Sequence, residues 1–218
     1  MKKMEFVKNY FLTMLAIIAI TGLTLGLAGC SDNSKKSTPF QIVFSAAYVN
    51  ESAVTAYGSA LQGRMPELVV DGKNPLFTSM MMGETNANAG SGAMVDPMMG
   101  MAGMMRMAAV VSTGEMDVFI ADMENAGRNA RSDMFMPLDK VFPGEDLSAY
   151  GERLLSFDIL SNDSYDPQPT GEKTPVCGFS ITGNPQIRRI FGDQEIGVFI
   201  ISNTKNLELA KKVMRSLL

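Results

Sequence analysis

Four apolar residues closed at both ends by aspartate, Asp117-Val118-Phe119-Ile120-Ala121-Asp122, constrain this chain more than any other stretch. A run this short cannot be a helix of useful length. A strand in which every residue is apolar has to be covered on both faces, as in a parallel sheet with helices above and below. Upstream, Ala108–Thr113 reads as the last turns of an apolar-faced helix stopped at Gly114. Downstream, Met123–Ser132 reads as a short helix that Asp122 can cap. In open α/β sheets ligands bind beyond the carboxyl ends of the strands, so Asp122 and Glu124 lie where a binding site is expected.

The remaining elements extend the same pattern. Phe40–Ala46 is a strand, Asn50 caps a helix that turns Ala53, Val54, Tyr57, Ala60 and Leu61 to one side, and Glu67–Asp71 reads as a second buried strand. Residues 72–97 are rich in Gly, Asn, Ser and Met and are expected to form a mobile loop. Helical character resumes over Met98–Ser112. Met136–Asp139 is a turn, Asp146–Leu155 an amphipathic helix, and Ser161–Thr174 a polar loop. Pro175–Thr182 and Ile196–Ser202 are strands. A last helix, capped by Asn206, buries Leu207, Ala210, Val213, Met214 and Leu217 and pairs Glu208 with Lys212 on its outer side. Strands alternating with helices predict an α/β fold, a layered sheet with helices on both faces.

The amino-terminal stretch carries a different signal. Lys2, Lys3 and Lys8 precede an apolar run, Phe11–Leu27, that closes on Leu27-Ala28-Gly29-Cys30. A basic start, an apolar middle and small residues before a cleavage point make a secretory signal, and a Cys directly after the small residues resembles the bacterial lipobox. The reading is a signal peptide over 1–29, a lipidated Cys30 with a polar tether over 30–38, and one folded domain over 39–218. Diacylglycerated Cys30 would hold the domain at a membrane, since each buried methylene of an acyl chain adds about 0.8 kcal/mol. Removal of the signal takes 19 basic and 23 acidic residues to 16 and 22, a net charge of −6. Such a surface offers no electrostatic footprint for nucleic acid. Cys177 is then the only thiol, so no disulfide closes within the chain.

Taken in order, the lipobox, a first strand leading into a helix, "R-M-P-E-L-V-V-D", "A-V-V-S-T-G-E-M-D-V-F-I-A-D", "M-F-M-P-L-D" and "I-G-V-F-I-I-S-N-T-K-N-L-E-L-A-K-K-V-M-R-S-L-L" resemble the bacterial extracellular solute-binding proteins. These are the lipid-anchored receptors of ABC importers, with a type 2 periplasmic-binding-protein fold. The resemblance covers half of the chain after residue 30. It implies a lipoprotein on the extracytoplasmic face of the cell membrane that binds a small solute or a transporter partner such as an ABC permease. The short stretch between Leu138 and Pro175 implies one lobe, or a compacted form, of that two-lobed family.

The chemistry that remains is narrow. The chain has no His, which excludes Ser–His–Asp and Cys–His nucleophile systems and His-based zinc sites. No phosphate-cradling glycine motif is present. The expectation is a protein without catalysis or cofactor, whose ligand contacts come from strand ends: Tyr48, Asp122, Glu124 and Asn203. Ten of 19 methionines fall between Met80 and Met107. Thioethers select Cu(I), and Met94, Met98, Met101 and Met105 share one helix face, so a metal-handling lipoprotein is the alternative. A third reading makes the Gly/Met-rich segment a surface adaptor for another protein. Packing against the sheet accounts for the same methionines without metal.

Overall fold

The computed structural model describes residues 38–81, 105, 107–161 and 167–218. Strand β1 (Gln41–Ala46) is buried at every position. It lies between β2 (Leu76–Met81) and β3 (Val118–Asp122), parallel to both. Beyond β3 the sheet changes direction. β8 (Ile196–Ile200) runs antiparallel to β3, β7 (Gly178–Ser180) antiparallel to β8, and β4 (Leu154–Leu155) antiparallel to β7. The order is β2-β1-β3-β8-β7-β4. Strands β5 (Asp158–Leu160) and β6 (Pro169–Lys173) pair separately as a small two-stranded sheet.

Side-chain alternation along the strands divides the core in two. Ile42, Phe44, Val118, Ile120, Val198 and Ile200 face one side, where helix α1 (Glu51–Arg64) contributes Val54, Tyr57 and Leu61. There α4 (Pro185–Phe191) adds Ile187, Ile190 and Phe191, and α5 (Leu207–Leu217) adds Ala210, Val213, Met214 and Leu217. Val43, Phe119, Ala121 and Phe199 face the other, under α2 (Met123–Ala130), Met107 and the helical residues 107–112. The fold is therefore α/β, with a six-stranded mixed sheet covered on both faces. Phe135 stacks on Phe199 with ring centroids 4.4 Å apart, and Phe44 meets Tyr57 edge-on at 5.7 Å. A large side chain buried this way contributes about 1.5–3 kcal/mol relative to exposure.

The caps follow from local sequence. Asn50 accepts from the Ala53 amide at 3.1 Å, Asp122 from Asn125 at 2.8 Å, and Asn184 from Gln186 at 2.9 Å. Each satisfies an amide that the first helical turn leaves without an internal partner. Gly114, at φ +64°, ends helix 107–112 as the sequence predicts.

Several expectations are corrected. The sheet is mixed rather than parallel. β8 runs antiparallel to both of its neighbours, β3 and β7. Glu67–Asp71 is not a strand. Pro66–Leu68 form a single tight turn that plugs Leu68 into the core, and Val70 pairs with Lys73 across Asp71 and Gly72, both at positive φ. Asp-Gly at that site is the signal of a type I′ turn. The second strand is instead Leu76–Met81, inside the expected loop 72–97; residues 82–97 lie outside the described residues.

Asp146–Leu155 is not an amphipathic helix. Gly151, at φ +48°, breaks it, and Leu154–Leu155 join the sheet. The polar stretch Ser161–Thr174 contributes β6, and Leu138–Val141, expected as part of a turn, is a single helical turn, α3. Asn206 does not cap α5 with its side chain, because its amide donates to Asp117 Oδ1 at 3.1 Å. Glu208 pairs with Lys211 rather than Lys212, which reaches Glu67 at 3.2 Å.

Candidate functional site

Two neighbouring parallel strands send the chain to opposite faces of the sheet. From β1 it enters α1 on one side; from β3 it enters α2 on the other. Where adjacent strands diverge in this way the loops separate and leave a crevice at the carboxyl ends. The crevice here has a volume of about 260 Å³ and is lined by Ala47, Asp122, Met123, Glu124, Asn125, Gln194 and Glu195.

Asp122 sits at its floor and is fully engaged. Oδ1 accepts from the Asn125 amide at 2.8 Å, and Oδ2 accepts from Asn125 Nδ2 at 3.1 Å and from the Ala47 amide at 3.2 Å. It caps α2 and clips the loop after β1 to the end of β3. Glu124, in the first turn of α2, pairs with Arg128 at 2.9 Å while half exposed. An exposed pair of this kind is worth at most about 1 kcal/mol, so Glu124 can leave Arg128 at little cost to meet a ligand. Glu195 and Gln194 complete the rim. Gln194 Nε2 donates to Phe191 O at 2.6 Å and Tyr48 O at 3.2 Å, tying the loop before β8 to the loop after β1.

Of the four residues read as ligand contacts, the fold brings Asp122 and Glu124 together. Tyr48 touches this region through its backbone carbonyl; its ring is exposed and is not part of the crevice lining. Asn203 is at the opposite rim. Because β8 runs antiparallel to β3, the end of β8 meets the start of β3, and Asn203 Nδ2 donates to Val111 O at 2.7 Å, closing helix 107–112. By the same reversal it is the residues before β8, Gln194 and Glu195, that reach the crevice.

A second cavity, about 510 Å³, opens between helix 107–112 and α2 and is lined by Met107, Val111, Asn129 and Met134, among others. Among the methionines of the metal alternative, Met94, Met98 and Met101 lie outside the described residues, and Met105 is exposed. Met80, Met107, Met116 and Met134 are buried in the apolar core. Among the described residues no group of three or more Cys, Asp and Glu is placed to hold a metal ion, and no helix is long and apolar enough to cross a membrane. Cys177 is buried, and burial pushes its thiol up to about 12; a thiol so rarely ionised is no nucleophile.

At the far end of β3 lies a second carboxylate, Asp117, which the sequence marks only as the boundary of the strand. Asp117 is 1% exposed. Its Oδ2 accepts from the Gln41 amide at 2.9 Å, and its Oδ1 from the Thr204 hydroxyl and Asn206 Nδ2. Burial raises its pKa, with these hydrogen bonds opposing the rise. Its position joins the start of β1 to the start of α5. Comparison with protein-family models, curated proteins and solved structures finds no match to this chain.

Proposed function

We propose that this protein is a membrane-anchored extracytoplasmic lipoprotein that binds a small solute without catalysis, in the crevice at the ends of β1 and β3, and presents it to a transporter partner such as an ABC permease. The observation that carries the reading is the crevice itself. It opens at the topological switch point, where α/β sheets take ligands, and three separate segments line it: Ala47, Asp122 to Asn125, and Gln194 with Glu195, with Glu124, Gln194 and Glu195 supplying polar side chains. The lipobox ending at Cys30 supports the anchor, and the resemblance to one compacted lobe of a type 2 solute-binding protein supports the class. On this reading a single lobe binds the solute without a second half closing on it, so affinity has to come from the crevice and from whatever covers it.

A thermal-shift screen of small solutes tests the binding. A ligand at a hundred times its Kd stabilises by about 2.7 kcal/mol, several degrees in melting temperature. The expected outcome is a small set of stabilising solutes whose effect disappears in Ala47→Phe, which fills the crevice. A screen without stabilisers, or stabilisation untouched by Ala47→Phe, refutes the assignment. Metabolic labelling with a fatty acid tests the anchor; label retained in Cys30→Ser refutes it.

A further inference from the structure

The two edges of the sheet are built differently. The β4 edge is two residues long, a length that gives another strand little to pair with. The β2 edge is six residues, Leu76-Phe77-Thr78-Ser79-Met80-Met81, without a charge, a Gly or a Pro. The Leu76 amide donates to Phe40 O at 2.8 Å. In a parallel ladder alternate residues bond to the same neighbour, so Leu76, Thr78 and Met80 turn their backbone groups toward β1, and Phe77, Ser79 and Met81 turn theirs outward. Among the described residues no strand pairs with that outer side. Leu76 and Met81 are exposed large apolar residues, at 47% and 60%. A long, uncharged edge of this kind is a template for strand addition.

We propose that the occupant of this edge is the β2 edge of a second copy of the chain, paired antiparallel about a two-fold axis through Ser79. A continuous antiparallel sheet built from two identical strands requires paired residues to share a face, which an axis through Ser79 satisfies. Phe77 then lies opposite Met81 of the other copy, Ser79 opposite Ser79, and Met81 opposite Phe77. These are the three residues with outward backbone groups, so every one of them is bonded, giving about six N–H···O contacts. Phe77 packs toward the α1 face, and alternation puts Met81 on that face too, so each pair sets a thioether against an aromatic ring, a favourable contact. No charge on either strand opposes the pairing. One nearby group does: Ser79 Oγ donates to Glu51 Oε1 at 3.2 Å, so the axis brings two Glu51 carboxylates near each other and keeps the association weak.

The experiment uses the full chain in detergent, with sedimentation equilibrium over a concentration series. A reversible dimer is expected, weakened at least tenfold by Ser79→Pro, which removes the central outward N–H and leaves the bonds to β1 intact, and tightened by Glu51→Gln. In a Cys30→Ser background, Ser79→Cys should cross-link on mild oxidation, because directly opposed Cα atoms lie about 5.5 Å apart and within disulfide range. Leu76→Cys should not, since the same register separates the two copies of residue 76 by about 20 Å. A monomer at every concentration overturns the proposal. So does a dimer that survives Ser79→Pro, one unmoved or weakened by Glu51→Gln, or cross-linking at residue 76 equal to that at 79.

Discussion

Replacing Asp117 by Asn tests whether the rim opposite the crevice is held by a carboxylate in particular. Asp117 accepts hydrogen bonds on both oxygens, from the Gln41 amide on Oδ2 and from Thr204 and Asn206 on Oδ1. An amide offers one acceptor and turns two donors toward whichever partner it faces. If its oxygen stays at the Oδ1 position, its NH2 meets the Gln41 N–H; if it flips, the NH2 meets the Asn206 amide. Either orientation leaves a buried donor without an acceptor, which costs about 1–3 kcal/mol. At this chain length that is a fall of roughly 2–4 °C in Tm per kcal/mol. The pH dependence adds a sign. Burial raises the folded pKa of Asp117 above its ordinary value of 3.8, so the folded state holds that proton more tightly than the unfolded chain does. The resulting stability is complete below 3.8 and is lost as pH rises through the folded pKa. The gap between wild type and Asp117→Asn is therefore widest in acid and narrows as pH rises across that window. Urea unfolding followed by far-UV circular dichroism from pH 4 upward measures it; the chain has no Trp to report by fluorescence. A variant within about 0.5 kcal/mol of wild type throughout, or a gap that widens with pH, refutes the reasoning.

Gly197→Ala should cost about 1–3 kcal/mol by overpacking, because its Cβ would lie 2.6 Å from the Phe199 ring and 2.7 Å from Leu155 Cδ1; chemical denaturation checks this. Asn184→Ala removes the acceptor for the Gln186 and Ile187 amides and should cost about 1 kcal/mol in the same measurement. Cys177, its thiol pushed up to about 12 by burial, should resist a thiol reagent at pH 8 in the folded protein and react fully in urea; equal rates in both states contradict its placement.

Legibility in the sequence followed burial. β1, β3 and β8 are buried at nearly every position, so each stands out as an apolar run. The buried face of α5 was readable because Ala210, Val213, Met214 and Leu217 recur at helical spacing. β2, β4, β5 and β6 were missed for the opposite reason. Their residues are mostly exposed or half-buried, and what makes them strands is the neighbour they pair with, which local composition does not encode. α4 escaped because seven residues show too few turns for a period, although Asn184-Pro185 carries a capping residue followed by Pro at the first helical position. Part of the crevice was legible through Asp122 and Glu124. Gln194 and Glu195 were not, since strand direction is a property of the sheet: reading β8 as parallel selects Asn203, and its actual direction selects Glu195.

β3 carries an aspartate at each end, and the two do the same mechanical work. Asp117 accepts the amide of Gln41 at the start of β1, and Asp122 accepts the amide of Ala47 just past its end. The two central parallel strands are thus fastened at both ends by carboxylates of one strand, each of which also reaches a neighbouring helix, α5 through Asn206 and α2 through Asn125. This double fastening removes Asp122 from the set of groups available to a ligand, since its oxygens already serve three donors. It also fixes the crevice floor, so that recognition falls to side chains standing above it. Those are Glu124, held only by an exposed pair with Arg128, and Glu195 at the entry to β8. Their shared sign favours a ligand that presents a hydrogen-bond donor or a positive charge, which orders the solutes to place first on the crevice.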